Sequence, residues 1–280
     1  MIGLLQTIAA APTEQLVFMS GREPISAGQI RRTASDIAER LSGNPNVFLY
    51  TASASLFLAG LIAVARKNLV VRFPSHLQPE YLHEIGADSG LLLTDHQTEI
   101  ASALHLSLAA GEEIAHSDFE PVDLGMIFFT SGVTGAPKEV RKHSGLLDRE
   151  AFVLDQTWGR EAGRVFATVS HQHIYGMLFR IFWPVITARV SEDRAAEYWE
   201  SLEGKLAPGA TLISSPAHLT RLPAAPALAN AAPGLIFSSG ALLPLTAAQA
   251  VRNLSAPIAA LMNEILKQQG SEKEGGGDGV

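Results

Sequence analysis

The segment of this chain best suited to chemistry runs Phe128-Phe129-Thr130-Ser131-Gly132-Val133-Thr134-Gly135-Ala136-Pro137-Lys138. An apolar stretch delivers a turn rich in hydroxyls and glycines, and a lysine follows. Glycines let backbone N–H groups approach an anion closely and adopt positive φ. Successive N–H groups in such a turn form an anion-binding nest. Thr and Ser hydroxyls add donors, and lysine adds a compact positive charge suited to phosphate. Together these are the parts of a phosphate clamp. The spacing is not that of a Walker loop, which needs Gly, four residues, then Gly-Lys-[Ser/Thr]. Here Lys138 follows Pro137, so a P-loop phosphotransferase is rejected. A dinucleotide fingerprint is also absent, since Gly132-x-x-Gly135 lacks the paired early glycine. On pattern alone an ordinary strand-connecting loop stays open as the alternative, because Gly-rich turns are common.

Two other segments carry polar groups beside apolar runs: Ser170-His171-Gln172-His173-Ile174-Tyr175-Gly176 and Ile236-Phe237-Ser238-Ser239-Gly240-Ala241-Leu242-Leu243-Pro244. His171 and His173 stand two apart, a spacing seen in metal sites. No further ligand cluster accompanies them, and zinc wants at least three protein ligands. No metal site is therefore expected. His218 reads equally as a polar helix-start residue or a pocket residue. Arg141-Lys142-His143 is a small basic cluster that would attract phosphate, or a run of solvated surface charge.

These segments must be held by surrounding elements. Ala27–Leu41 carries Ile30, Ala34, Ile37, Ala38 and Leu41 at helical spacing, after a turn over Glu23–Ser26. Val47–Tyr50 reads as a strand, Ser53–Arg66 as a helix and Leu69–Phe73 as a strand closed by Pro74. Pro79–Ile85 reads as a short helix and Gly90–Thr94 as a strand. Such alternation implies parallel strands with helical crossovers, an α/β fold of mostly parallel sheets flanked by helices. Further on, Met126–Thr130 is a strand leading into the Gly-rich turn. Leu146–Trp158 is a helix, Val165–Val169 a strand and Tyr175–Val185 a buried helix. Glu192–Leu206 reads as a polar helix. Thr211–Ser214 and Leu235–Ser238 are strands, Pro216–Leu222 and Thr246–Leu254 helices, and Pro223–Pro233 an Ala/Pro-rich connector. Ile258–Gln268 reads as a strand running into a helix. Gly275-Gly276-Gly277-Asp278-Gly279 has no apolar content and reads as a disordered tail.

Composition narrows the partners. A chain of 280 residues with 47% hydrophobic content is not globally disordered. Its 21 Lys+Arg against 28 Asp+Glu give a charge of −7, which argues against a dedicated nucleic-acid binder. With no cysteine, disulfides, cysteine zinc sites, Fe–S clusters and a cysteine nucleophile are excluded, and the cytoplasm is the expected location. The longest apolar run, Leu56–Ala65, has ten residues, against about 20 needed to span a bilayer. It reads as a buried helix, with no membrane span.

The order Thr130-Ser131-Gly132-x-Thr134-Gly135-x-Pro137-Lys138 after an apolar strand resembles the phosphate loop of the acyl-adenylate-forming (AMP-dependent synthetase/ligase) superfamily. Two positions depart from it. Val133 stands where the family usually has Ser or Thr, and Glu139 where it usually has Gly. Both imply weaker ATP binding. Two further segments follow in the family's order. His173-Ile174-Tyr175-Gly176 resembles the His-x-x-Gly segment lining the acyl pocket, and Ser239-Gly240-Ala241 the turn bordering adenine and acyl group. The resemblance thus implies that Thr130, Ser131, Gly132, Thr134, Gly135 and Lys138 bind ATP phosphates. It implies that His173, Gly176, Ser239, Gly240 and Ala241 border the acyl and adenine pocket. The wording of Val169–Gly176 and Ser214–Leu219 is most similar to the acyl-acyl-carrier-protein synthetases of aryl polyene and xanthomonadin-type pigment pathways.

The resemblance covers roughly residues 20–265. Residues 1–265 are accordingly expected to form a partial AMP-binding N-terminal domain, followed by the Gly-rich tail 266–280, with the family's C-terminal lid domain absent. The family's Tyr-Gly-x-Thr-Glu, which holds adenine and Mg²⁺, its Thr-Gly-Asp and its C-terminal lysine are not visible. Asn263-Glu264-Ile265 looks like the lead-in to the first. A sheet cut short in this way implies association through exposed apolar surface. The implied function is ATP-dependent activation of an aryl or fatty acid as its acyl-adenylate, with ATP and Mg²⁺ as cofactors and a carrier protein or coenzyme A as acceptor. Because charge-stabilising groups are missing, the chain is expected to be catalytically incomplete. The alternative is a non-catalytic nucleotide-binding remnant or half of a split enzyme.

Overall fold

The computed structural model describes residues 2–41, 43, 46–112, 123–131, 137–160, 162–206, 208–222 and 233–254. The expectations for Ile258–Gln268, for the tail 266–280 and for most of the 223–233 connector lie outside them. The chain divides into two compact units, Met1–Arg160 with Ser170–Ala195, and Glu161–Val169 with Ala196–Val280.

The first unit opens with helix α1 (Leu4–Ala10) and the antiparallel pair β1 (Leu16–Ser20) and β2 (Glu23–Ser26). Glu23–Ser26 is thus a strand rather than the expected turn. The reversal sits at Gly21, whose φ of 65° is costly for other residues, and Ile25 is buried. Pro24 is tolerated because its strand has a neighbour on one side only. Helix α2 (Ala27–Arg40) begins where the Ser26 hydroxyl accepts from the Gln29 N–H at 3.1 Å. After β3 (Val47–Tyr50), the Ser53 hydroxyl caps α3 (Ala54–Arg66) in the same way, accepting from Leu56 N–H at 3.1 Å. Every residue from Ala54 to Ala65 is buried, so the ten-residue apolar run is a core helix.

Strand β4 (Val71–Phe73), helix α4 (Pro79–Glu84), strands β5 (Leu91–Thr94), β6 (Ala103–His105), β7 (Gly125–Ser131) and β8 (Pro137–His143), and helix α5 (Ser144–Trp158) follow. The sheet order is β6-β5-β3-β4-β7-β8, parallel throughout except that β8 runs antiparallel to β7. The helix–strand alternation of the sequence therefore reports a parallel sheet. Sequence reasoning missed β6 and β8. β8 is Pro-Lys-Glu-Val-Arg-Lys-His, an edge strand whose only apolar residues are Pro137 and Val140, so it carries no hydrophobic signal.

Strand β9 (Val165–Ala167) belongs to the second unit. The chain then returns to the first for helix α6 (Ile174–Met177), a π-helical turn Leu178–Phe182, helix α7 (Trp183–Ile186) and β10 (Ser191–Glu192), which lies parallel to β1. In the second unit β11 (Thr211–Ser214) lies between β9 and β12 (Leu235–Ser238), all parallel, with helices α8 (Pro216–Leu219) and α9 (Leu245–Leu254).

The polar helix expected over Glu192–Leu206 does not form. Glu192 is in β10, and only Trp199–Leu202 makes a short 3₁₀ turn. Trp199, Leu202 and Leu206 instead turn into the second unit's core against Phe166, Leu212, Ile236 and Val251. Burying that apolar surface outweighs local helix propensity.

Candidate nucleotide and acid site

The stem of the Gly-rich loop is built by two paired strands. At the end of β7, Thr130 stands opposite Lys138, and Ser131 opposite Pro137. Directly opposed residues of an antiparallel pair project from the same face. The Thr130 hydroxyl and the Lys138 side chain therefore share one face at the mouth of the loop, both exposed. The Thr130 Oγ1 donates weakly to the Lys138 carbonyl at 3.4 Å. Gly132, Thr134 and Gly135 lie outside the described residues, as does the Ser131 side chain.

The same alternation alters the reading of the basic cluster and of Glu139. Lys138 and Lys142 alternate with Glu139 and Arg141, so Arg141-Lys142-His143 is split between two faces of an edge strand. Glu139 projects away from Lys138 and pairs with Arg141 at 3.3 Å. Its charge is thus directed away from the lysine and partly neutralised. Replacing Glu139 with Gln should change ATP affinity by no more than about fivefold, since exposed pairs contribute about 0–1 kcal/mol; calorimetric titration checks it.

Beside the stem lies an open cleft of about 190 Å³ lined by Ser75, His76, Tyr81, Glu84, Phe129, Thr130 and Pro137. The His76 and Tyr81 rings are 4.1 Å apart, and Tyr81 meets Phe129 edge-on at 6.5 Å. None of Ser75, His76 and Tyr81 was legible as a neighbour of the loop. Only the pairing of β4 with β7 brings them there.

The histidine segment starts α6. His173 is the exposed residue immediately before the helix. His171 and Gln172 turn inward and are buried. His171 Nδ1 accepts from the Arg180 guanidinium at 3.0 Å, and its ring packs against the edge of Phe57 at 4.7 Å. Gln172 Nε2 donates to the Thr51 carbonyl at 2.8 Å. Gly176 is required by contact. A Cβ there would meet the Ser170 carbonyl oxygen at 2.0 Å.

Burial, and after it the Arg180 charge, hold the His171 pKa well below the usual 6.5. The folded chain thus refuses a proton that the unfolded chain accepts. This contribution to stability is complete above pH 6.5 and is lost as pH falls below it, by up to about 1.4 kcal/mol per unit. Thermal unfolding from pH 7 to 5 should show Tm falling, and His171→Gln should flatten that slope.

In the second unit, Ser239 is buried after β12, while Gly240 and Ala241 are exposed. Gly240 has φ of 102°, a backbone conformation that favours glycine. Before this turn the strand ends form a hydroxyl row. Thr168 and Ser214 are hydrogen-bonded at 2.8 Å, and Ser238 stands opposite Ser214. His218 is a helix residue whose Nδ1 meets the Ser215 hydroxyl at 3.0 Å. Among the described residues no group of three His, Asp or Glu side chains is placed to hold a metal, and no helix is long and apolar enough to cross a membrane.

The fold is the α/β architecture of the N-terminal domain of adenylate-forming ligases. It is similar to a malonyl-CoA ligase solved with methylmalonyl-CoA and AMP (TM-score 0.73, 18% identity, 90% of this chain and 58% of that one). It is similar to the o-succinylbenzoate CoA synthetase MenE of Bacillus subtilis in complex with AMP (TM-score 0.69, 18% identity, 92% and 72%). A third likeness is to the N-terminal subdomain of Klebsiella oxytoca NpsA with 3-hydroxybenzoyl-AMSN (TM-score 0.67, 14% identity, 92% and 71%). The chain spans 58% of the length of the malonyl-CoA ligase. No protein-family model and no curated protein matches the chain.

Proposed function

We propose that this chain is the nucleotide- and acid-binding part of a ligase that activates a carboxylic acid as its acyl-adenylate. The observation that carries the reading is the loop stem. Thr130 and Lys138 share a face at the mouth of a loop whose sequence resembles the adenylate-forming phosphate loop, at the C-terminal end of a strand parallel to its neighbour β4. Ligands of open α/β sheets bind at such strand ends.

In this reaction a carboxylate oxygen attacks the α-phosphorus of ATP. The bond between the α-phosphorus and the bridging oxygen breaks, and pyrophosphate leaves with that oxygen. Lys138 offsets negative charge on the phosphates, and Thr130 donates a hydrogen bond to a phosphate oxygen, effects that strengthen as charge moves onto the leaving group. His173 borders the acid, and Ser239, Gly240 and Ala241 border the adenine and the acyl chain. Mg²⁺ would neutralise part of the triphosphate charge. The described residues offer no ligand cluster for it, and among them Thr130 and Lys138 face the phosphates.

The acid is aryl or fatty, and the acceptor coenzyme A or a carrier protein. The likeness of Val169–Gly176 to the aryl polyene branch favours the carrier protein. The test is ATP titration followed by acid-dependent exchange of labelled pyrophosphate into ATP, over aryl and fatty acids. Exchange establishes the ligase. ATP binding without exchange supports the second reading, a nucleotide-binding remnant or half of a split enzyme. No ATP binding at millimolar concentration removes both.

A further inference from the structure

The residues ahead of His173 make contacts that the loop and the adenine-side turn do not explain. Arg180 sits in the middle of the π-helical turn and is 1% exposed. Besides donating to His171 Nδ1, its guanidinium donates to the carbonyls of Glu192 and Asp193, each at 3.3 Å. The Asp193 carboxylate accepts from the Ser53 hydroxyl at 2.9 Å and the Ser55 N–H at 2.8 Å. Gln172 reaches the same connection between β3 and α3 through Thr51. The Ser170 hydroxyl accepts from Gln172 N–H at 3.1 Å, which closes the turn on itself. The π-helical turn, the end of β10 and the β3–α3 connection thus converge on two side chains immediately before His173.

This arrangement is expensive as a way of filling space. Burial pushes the Arg180 pKa down to about 10, against the opposing pull of the Asp193 and Glu192 charges, and it is still charged at neutral pH. A buried ion network is often no more stable than apolar residues of the same volume. An apolar pair, however, could not fix an imidazole in one orientation or tie a turn to two other segments. π-helical turns are also frequent at functional sites.

We propose that Arg180 and His171 are positioning residues that hold the Ser170–His173 turn in one geometry and so aim His173 at the carboxylic acid. The inference rests on the ligase reading above. In that reading His173 touches the substrate, and Arg180 acts only through His171 and the turn.

The experiment uses the full chain with Arg180→Met, His171→Leu and the conservative His171→Gln, which keeps an acceptor for Arg180. Two readouts go beyond folding. One is the KM for the acid against the Kd for ATP. The other is the titration of the His173 ring by NMR, whose pKa is held below 6.5 because neighbouring protein atoms partly desolvate the ring although its surface is exposed. Arg180→Met and His171→Leu are expected to raise the acid KM about tenfold with ATP Kd unchanged, and to move the His173 titration up toward 6.5. His171→Gln is expected to restore both. Unchanged KM and titration in folded Arg180→Met overturn the proposal. So does failure of both disruptive variants to fold, which makes the pair a folding requirement. If the unaltered chain shows no pyrophosphate exchange, the ligase reading fails and the KM comparison with it. The His173 titration then still decides whether the pair positions that ring.

Discussion

Replacing Lys138 with alanine should weaken ATP binding by about ten- to a hundredfold and leave the fold intact. A hydrogen bond to a charged group contributes about 1.5–3 kcal/mol, and a tenfold change in affinity corresponds to about 1.4 kcal/mol. Lys138 is exposed, and among the described residues it makes no ion pair. Its removal therefore leaves no buried charge behind, and a surface change of this kind shifts stability by only about 0.5 kcal/mol. Lys138→Arg keeps the charge but not the compact ammonium, and should lie between the two. Calorimetric titration with ATP, alongside a thermal melt of each variant, separates binding from folding. Unchanged affinity in Lys138→Ala would withdraw the phosphate-clamp assignment.

Gly176→Ala should destabilise the protein by about 3 kcal/mol, the upper end of what overpacking costs. The added Cβ would stand 2.0 Å from the Ser170 carbonyl oxygen, 2.7 Å from its carbon and 3.2 Å from the His171 Cα. All three are backbone atoms, so no side chain can swing aside, and the turn carrying His171 to His173 must move. Activity should fall with stability for that reason. Gly60→Ala is the matched control. The three atoms nearest to a Cβ there all belong to the Leu49 side chain, the closest at 2.8 Å, and alanine gains about 1 kcal/mol of helix propensity in the middle of α3. Urea unfolding of the two variants should place Gly60→Ala within about 1 kcal/mol of the parent. Equal losses at both positions would show that the Gly176 contact is softer than its geometry indicates.

The parallel sheet, the capped helices α2 and α3 and the order of the polar segments were legible because each has a local cause. Apolar spacing marked α2, and short apolar runs such as Val47–Tyr50 marked strands. Elements without a local cause were not legible. β8 is an edge strand of charged residues, visible only through its register with β7. Residues 192–206 have a helical composition, yet Trp199, Leu202 and Leu206 gain more by burial in the second unit's core.

The candidate site divides along the same line. Thr130 and Lys138 stood out from their own short segment, because phosphate chemistry needs particular residue types close together in sequence, whereas His173, Gly176 and the Ser239–Ala241 turn were marked by the resemblance to the adenylate-forming superfamily. Which side chains share a face is a matter of pairing. Register sets Thr130 beside Lys138 and turns Glu139 away, and the pairing of β4 with β7 brings His76 and Tyr81 to the loop. His171 and Arg180 are nine residues apart and joined through a π-helical turn, a spacing with no signature in sequence. Local composition determined what chemistry the chain can attempt. Long-range packing decided which groups are buried, which way they point and what holds them, because burial and hydrogen-bond satisfaction depend on neighbours brought from elsewhere in the chain.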